Sequence, residues 1–396
     1  MESEKTTLRN KKVLLGVTGG VAAYKSVDLV KILRDKGLVV TVVMTESSKH
    51  FVTPLSLEIA SNQKVYQDLF HDPMAHINLA NEADVMVVAP ATANIIGKFA
   101  RGIADDLLST IFLSFRGQVV IAPAMNWRMY ENPVFQENLK YLLSRGVIQV
   151  GPERGILACG EEGIGRMSDI YYIIESTLSC LSKKDLIGEK IIVTAGPTRE
   201  YIDPVRFFSN RSSGKMGYAI AEAALRRGAD VILISGHSLL HKPKGVCFIS
   251  VETASDMLEA IRREVGFSTV LIMSAAVSDF MPAKRYTDKI EKHHDKIVKL
   301  IPTPDIISEF TRKRKRPFII GFSAETGRKI GRARKKLREK KMDMIVFNNV
   351  TEEGSGFDTD TNRVIIIDKE KEIRLPLMNK DLVADAILDR LVEVKA

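Results

Sequence analysis

Short apolar runs, each followed by a loop of small or polar residues and then by a stretch of helical period, recur along this chain from one end to the other. Residues 13–17, 39–44, 84–89 and 119–122 are such runs in the first half, and 190–194, 231–235, 270–274, 318–322 and 344–347 in the second. A strand that is apolar on both faces must be covered on both faces, so it belongs in a parallel sheet between layers of helix. The expected fold class is therefore α/β, with two Rossmann-like units. Residues 171–181 read as a helix, Ser182-Lys183-Lys184-Asp185 is a short polar joint, and Gly188-Glu189-Lys190 opens a new strand. The expected domains are 1–186 and 187–396, which fits a length of 396 residues, more than one core usually organises. Ligands of such sheets sit at the carboxyl ends of the strands.

Composition narrows the function classes. Hydrophobic content of 45% and charged content of 27% are those of an ordinary soluble protein. No apolar run is long enough to span a bilayer, and residues 1–12 are polar, so neither a signal peptide nor an anchor is expected. The cysteines, Cys159, Cys180 and Cys247, have no paired spacing, which argues against a disulfide framework or a zinc knuckle and fits a reducing, cytoplasmic setting. Net charge is +9, with basic clusters at 312–316 and 328–341. No aromatic platform or reading helix accompanies them, so the expectation is a solvated helix face useful for a nucleotide triphosphate, with no nucleic acid partner.

The joint after the first strand of the second half, residues 193–217, is the most unusual stretch. The strand breaks at Ala195-Gly196-Pro197, a long polar loop follows, and a helix starts only near Lys215-Met216-Gly217. A strand leading through a glycine-rich loop into a helix presents unpaired backbone N–H groups and the helix dipole to an anion. The loop also carries Arg199, Arg206, Asn210, Arg211, Ser212, Ser213 and Lys215. A plain solvated connector does not need that density of cations and hydroxyls.

In the first half, Thr18-Gly19-Gly20-Val21-Ala22, Thr45-Glu46-Ser47-Ser48, Pro90-Ala91-Thr92-Ala93-Asn94 and Pro123-Ala124-Met125-Asn126 each follow a strand. Four small, hydroxyl-rich loops on one sheet edge suit a phosphate and a flat ring, such as a mononucleotide of the FMN type. Each has a plainer reading: the TGG turn is no dinucleotide fingerprint, and Asn126 could simply cap the helix that follows. A lone His76 between Ala75 and Ile77 is more often a packed helix residue than a catalyst. Cys159 lies in a glycine-rich segment with little to pack, and glycines on both sides suggest a hinged flap.

These loops carry a resemblance. GVTGGVAAYKS, PMAHINLA, VVAPATANIIGKFARGIADDLLST, IAPAMNWRMY and ACGEEGIGRM, in this order, resemble the homo-oligomeric flavin-containing cysteine decarboxylases. The resemblance implies a flavodoxin-like fold for this half and FMN contacts at Gly20, Val21, Ala22, Thr45, Ser47, Thr92, Asn94 and Ala124. It makes His76 the active-site histidine, Asn126 the residue that grips the substrate carboxylate, and Cys159 the cysteine of a mobile flap. The implied chemistry oxidises the substrate thiol, lets CO₂ leave, and reduces the enethiol with a proton from Cys159. Asn81-Glu82 departs from the basic or aromatic residues often found there.

The second half has its own resemblance. TAGPTREYIDPVRFFSNRSSGKMG is similar to the signature of phosphopantothenate–cysteine ligases, with Asn210 matching the catalytic asparagine. Met273-Ser274-Ala275 runs into the AAVxD motif with Asp279; Lys289 falls in a KIKK-like element whose third position is Glu291 here. Pro304-Asp305-Ile306-Ile307, Phe322, and Lys336 with Lys340 match further nucleotide-binding elements, and Asn348-Asn349 and residues 356–360 complete the pattern. The implied reaction activates the carboxylate of 4′-phosphopantothenate with CTP and Mg²⁺, after which cysteine displaces CMP. Nothing in the residues themselves chooses CTP over ATP. The two resemblances together imply a bifunctional decarboxylase and ligase of coenzyme A synthesis, with small-molecule substrates and a homo-oligomer of trimeric first halves and dimeric second halves. An NADP-dependent oxidoreductase lacks its GxGxxG fingerprint in both halves, and a non-catalytic flavin-binding regulator would lack His76 or Cys159.

Overall fold

The computed structural model describes residues 8, 10–158, 160–291, 297–313, 315–327 and 329–396. They form two compact units that divide between Lys183 and Lys184. Lys184 and Asp185 are tied into the second unit. Lys184 Nζ donates to the carbonyl of Arg226 at 2.5 Å, and Asp185 accepts from both Nε and Nη2 of the buried Arg227 at 2.8 and 2.6 Å.

The first unit is built on six strands in the spatial order Val65–Tyr66, Val39–Met44, Lys12–Val17, Val85–Ala91, Gln118–Pro123, Ile148–Gln149. Every pairing is parallel. Leaving out the two-residue edge strand Val65–Tyr66, the remaining strands run 2-1-3-4-5, the flavodoxin-like order. Strand order reverses between Lys12–Val17 and Val85–Ala91, and that is where an α/β sheet opens a crevice for a ligand. Val85–Ala91 is buried at every position, as a strand covered on both faces must be. Helices Ser26–Asp35, Pro54–Ser61 and Ile170–Leu181 cover one face; Ala75–Glu82, Ala93–Arg101, Leu107–Ser114 and Pro133–Ser144 cover the other. The segment after the first strand-end turn divides into a 3-10 turn, Val21–Lys25, and the α-helix Ser26–Asp35. At that junction the buried Ser26 hydroxyl donates to the carbonyl of Ala89 at 2.8 Å, drawing the turn onto the central strand.

The second unit has eight strands in the order Cys247–Ser250, Asp230–Ser235, Lys190–Ala195, Val270–Met273, Phe318–Glu325, Met344–Asn349, Val364–Asp368, Glu372–Arg374. The first six are parallel and the last two antiparallel. Side chains alternate: Ile191, Val193 and Ala195 pack beneath helices Lys215–Arg226 and Lys380–Lys395, while Ile192 packs with Ala254–Glu264, Ile306–Thr311 and Ile330–Glu339. The last helix presents Val383, Ala384, Ile387, Leu388 and Leu391 to the sheet at helical spacing. It also buries two cations that its sequence pattern hides, Lys380 and Arg390. Arg390 forks onto Asp368 at 2.7 and 3.0 Å, both side chains almost wholly buried.

The basic segments are largely spoken for. Arg316 pairs with Asp343, Arg332 with Glu325, Arg334 with Glu372, and Lys335 with Glu339. Among the described residues no helix is long and apolar enough to cross a membrane.

Candidate active sites

A cavity of about 810 Å³ opens at the carboxyl edge of the six-stranded sheet, at the switch point. Gly20, Val21, Ala22, Thr45, Ser47, Thr92, Asn94 and Ala124 all line it, and so does Asn126. The loops that supply them are locked together by Thr18, which sequence reasoning left unassigned. Its buried hydroxyl donates to the carbonyl of Pro90 at 2.7 Å and accepts the amide of Thr92 at 3.2 Å. Gly19 is required by close approach: a Cβ there would stand 2.4 Å from Cβ of Ser47. The lining offers hydroxyl and amide groups for a phosphate and a polyol chain, and small apolar atoms for a flat ring, so the residues fit a flavin mononucleotide. Lys98 also lines the cavity and pairs with Asp105 and Asp106 at 2.6 and 2.7 Å. Burial opposes its charge, but the two carboxylates outweigh that and hold its pKa above the usual lysine value. Asp106 in turn caps the Leu107–Ser114 helix through a capping box with Ser109.

A hairpin of Glu153–Ile156 and Glu162–Arg166 walls the same cavity through Ile156, Leu157, Ala158, Gly165 and Arg166. Cys159 lies outside the described residues. The glycines of this segment do not all act as hinges, contrary to the sequence expectation. A Cβ at Gly165 would meet the carbonyl oxygen of Met125 at 2.1 Å, and one at Gly163 would meet Trp127 at 2.6 Å. They are needed because the hairpin lies directly on the loop that carries Asn126. Only Gly160 combines a φ of +82° with open space around it. Glu161 ties the hairpin down by accepting from Trp127 Nε1 at 2.7 Å and Arg128 Nη2 at 3.0 Å. Asn126 takes both roles open to it: its Oδ1 accepts from the amide of Arg128 at 2.9 Å, capping the short helix Trp127–Tyr130, and its side chain lines the cavity.

His76 is not brought to this cavity within its own unit. It sits on the Ala75–Glu82 helix beside Leu107–Ser114, where Ser114 Oγ donates to its carbonyl at 3.4 Å. Its Nδ1 is buried and is the one buried side-chain polar atom among the described residues without a hydrogen-bond partner. Such an atom asks for a partner that the single unit does not supply.

A second cavity, about 550 Å³, lies at the carboxyl edge of the eight-stranded sheet. Asn210, Met273, Ser274, Ala275, Asp279, Pro304, Asp305, Ile306, Ile307, Phe322, Lys336 and Lys340 line it. Asn210 Nδ2 donates to the carbonyls of Ala276 and Val277, 3.1 Å each, at the end of the Val270–Met273 strand. Gly196 adopts φ +71° where the chain leaves its strand, and Gly217 lies so close to that strand that a Cβ would meet Cβ of Ala195 at 2.6 Å. Lys336 Nζ donates to the carbonyl of Phe322 at 3.2 Å. Burial, then the neighbouring Lys340, lower its pKa below the usual lysine value against Asp279, Glu325 and Asp305. Lys340 pairs with Asp305 at 2.9 Å; burial opposes ionisation of Asp305, and Lys340 and Ser308 overcome it to hold its pKa low.

Lys289 does not line this cavity, and neither do Arg199 and Arg206. The stretch expected to be a polar loop contains a hairpin, Arg199–Tyr201 against Phe207–Ser209. Arg199 lies over the ring of Phe207 at 4.7 Å, and Arg206 is paired with Asp203 at 2.8 Å. Asp203 is the organiser that sequence reasoning missed. It is fully buried and accepts from the amides of Val205, Arg206 and Ile290. Burial opposes its ionisation, but these donors and the Arg206 guanidinium prevail and hold it at about 2. Through the amide of Ile290 it anchors the segment that carries Lys289. The sequence signal was the Asp-Pro turn within YIDPVR. Lys380 was likewise missed: it lines the cavity from the first turn of a helix that reads as an ordinary closing element. Among the described residues no cluster of three or more acidic, histidine or cysteine side chains is arranged to hold a metal ion.

Two doubly wound units, each with a cavity at the carboxyl edge of its sheet, describe a two-domain nucleotide- and flavin-handling protein. Comparisons with known proteins agree. Residues 1–182 match the family model described as Flavoprotein, and residues 186–394 match the DNA/pantothenate metabolism flavoprotein C-terminal domain. The chain is 44% identical over 394 residues to the coenzyme A biosynthesis bifunctional protein CoaBC of Bacillus subtilis, covering 97% of each chain. It is 42% identical over 397 residues to the protein of the same name from Escherichia coli K12, covering 98% of each. Among solved structures, the C-terminal domain of a CoaBC protein matches at 41% identity and TM-score 0.47, over 54% of this chain and 98% of that one. The chain belongs to the family of coenzyme A biosynthesis bifunctional proteins. It is a bifunctional enzyme of small-molecule metabolism, with a flavoprotein decarboxylase half and a ligase half.

Proposed function

We propose that residues 187–396 couple 4′-phosphopantothenate to cysteine through an acyl-cytidylate, consuming CTP, and that residues 1–186 decarboxylate the product to 4′-phosphopantetheine with FMN. The observation that carries the reading is the convergence of the implied residues. Every FMN position meets in one cavity, and every nucleotide position except Lys289 meets in the other.

In the ligase half, Lys336 and Lys340 neutralise nucleotide phosphates, and Phe322 with Ile306 and Ile307 gives the base an apolar seat. Asn210 orients the acyl-nucleotide intermediate. Mg²⁺ enters on the nucleotide phosphates, with Asp279 the exposed carboxylate beside them. Lys289 acts from the segment anchored by Asp203. Positioning and charge neutralisation carry most of such nucleotidyl transfer.

In the decarboxylase half, FMN supplies two-electron redox chemistry when bound. The chain's own groups do the rest. Asn126 holds the substrate carboxylate, the hairpin over the cavity excludes water, and Cys159 delivers the final proton. His76 acts at a cavity of another copy, because the cavity of its own unit does not reach it. That arrangement requires an assembly: trimers of the first half and dimers of the second, in the cytoplasm.

The test is CO₂ and pyrophosphate release from phosphopantothenate, cysteine and CTP, with ATP as the alternative nucleotide, in wild type, Cys159→Ser and Asn210→Asp. The expected result is both products in wild type with CTP, pyrophosphate without CO₂ in Cys159→Ser, and arrest before the amide in Asn210→Asp. Pyrophosphate without CO₂ in wild type overturns the decarboxylase roles. A monomer in light scattering overturns the role of His76.

A further inference from the structure

Asn126 and the hairpin that walls the first cavity are joined by a side chain that the reading above leaves without a task. The root of the hairpin is fixed by Glu153, which accepts from Arg166 Nη2 and Ser168 Oγ, both at 3.0 Å, and from the amide of Asp169 at 3.3 Å. Its second strand is docked by main chain and by close packing. The amide of Met125 donates to the carbonyl of Gly165 at 3.0 Å, and Gly163 leaves no room for a Cβ against Trp127. The turn from Leu157 to Glu161 is closed by its own backbone: the amide of Leu157 donates to the carbonyl of Glu161, and the amide of Gly160 to the carbonyl of Leu157, each at 2.9 Å. The Glu161 carboxylate then ties this turn outward. Its Oε2 accepts from Trp127 Nε1 at 2.7 Å and its Oε1 from Arg128 Nη2 at 3.0 Å, while the guanidinium lies 5.3 Å from the centre of the Trp127 ring.

Trp127 and Arg128 are the two residues that follow Asn126, in the first turn of the helix it caps. Glu161 follows Cys159 by two residues. We propose that Glu161 is a positioning residue of the decarboxylase half, whose carboxylate holds the turn carrying Cys159 in register with the loop carrying Asn126. The proposal rests on the decarboxylase reading and adds how its two chemical groups are brought to one substrate. In that reading CO₂ leaves from a carboxylate held by Asn126, and the remaining enethiol is then reduced with a proton from Cys159. The two stages therefore need groups from separate segments in one geometry. Glu161 belongs to one of those segments and is bonded to the other. It does not itself line the cavity, so it acts through its neighbours and not on the substrate.

The tie orients more than it stabilises. The side chains of Arg128 and Glu161 are 68% and 43% exposed, so their ion pair contributes little to the fold. The bond from the indole N–H to the carboxylate is charge-assisted and directional, and it selects one placement of the turn. Gly160, with its φ of +82° and open space around it, gives the turn other conformations once the tie is cut. Asn126 keeps its own supports in that event. Its Oδ1 still accepts the amide of Arg128 at 2.9 Å, and Met125 stays bonded to Gly165. Loss of the Glu161 carboxylate therefore disturbs the stage that delivers the proton and spares the stage that releases CO₂.

The experiment supplies phosphopantothenoylcysteine to the FMN-loaded full chain in wild type, Glu161→Gln, Glu161→Ala and Trp127→Phe, reading CO₂, 4′-phosphopantetheine and the unreduced enethiol over a single turnover. Trp127 is the single tryptophan of the chain, so acrylamide quenching of its emission in the flavin-free protein reads the tie without turnover. The expected result for Glu161→Ala is CO₂ release at the wild-type rate, 4′-phosphopantetheine formation slowed by about tenfold to a hundredfold, accumulation of the enethiol, and a Trp127 that is quenched more readily. Glu161→Gln still accepts from the indole and should lie near wild type in both readouts. In Glu161→Ala, equal slowing of both stages, no change in either stage, or unchanged quenching overturns the proposal. Should Glu161→Ala fail to fold, Trp127→Phe keeps a ring against Gly163 and removes the donor, and the same split between the stages is required of it. A wild type that releases no CO₂ defeats the decarboxylase reading itself, whereas an active wild type whose variants show no split defeats only the role of Glu161.

Discussion

The two cavities sit at the same place on related sheets and are furnished differently. The first is bounded by Gly20, Ala22, Thr45, Ser47, Thr92 and Asn94, and its half-buried lysine, Lys98, is neutralised by two carboxylates. The second draws four lysines onto its walls, two of them fixed by carbonyls. A site for a resident cofactor can be shaped by close packing and hydroxyls, because the ligand stays. A site that turns over polyanions needs charge that is compensated only when substrate is present. The same architecture thus serves two chemistries by what its strand-end loops and helix termini carry.

If the comparison is right, damage should stay within one unit. The largest effect is expected at the buried pair of Asp368 and Arg390. Arg390→Met strands a buried carboxylate and should cost the ligase unit about 3–5 kcal/mol, read as a lower melting transition, with flavin absorbance and decarboxylation of supplied phosphopantothenoylcysteine retained. A joint collapse of both activities would show the units to be energetically coupled. Next, Asn210→Asp should slow the ligase by about 10²–10³-fold, roughly 2.7–4 kcal/mol, and leave CO₂ release from supplied phosphopantothenoylcysteine unchanged.

A methyl group sharpens the contrast from the other side. Gly19→Ala forces apart two loops that leave 2.4 Å for the new Cβ, and should weaken flavin binding by about 1–3 kcal/mol without touching the ligase. The yellow colour after desalting is the measurement. The fourth expectation uses pH, and its effect is the smallest. Asp203 has a depressed pKa of about 2, so its contribution to stability is complete above the usual carboxyl value and is lost as pH falls toward about 2. Asp203→Asn should remove that part of the acid dependence of melting.

Much of this molecule is legible in its sequence because strands buried on both faces, such as 85–88 and 191–193, advertise themselves by unbroken hydrophobicity. The strand-end loops are legible because small and turn-forming residues gather where each strand ends, although the neighbours that require Gly19 and Gly217, Ser47 and Ala195, lie elsewhere in the sequence. The hairpin at Arg199–Ser209 was not, since its short, polar strands have no apolar period. Nor was the hidden work of Asp203, Lys380 and Arg390, whose partners lie 87, 24 and 22 residues away.

The sequence by itself determined the α/β class, the two-unit organisation and the strand-end residues of both cavities, because these follow from periodicity and from turn chemistry that acts over a few residues. Only the tertiary structure decided which cations reach a cavity and which become struts. Arg206 and Lys380 look alike as isolated basic residues. One is consumed by a buried aspartate, and the other is aimed into a cavity by three carbonyls. That distinction depends on burial and on partners brought together by the sheet, and neither is written in local order.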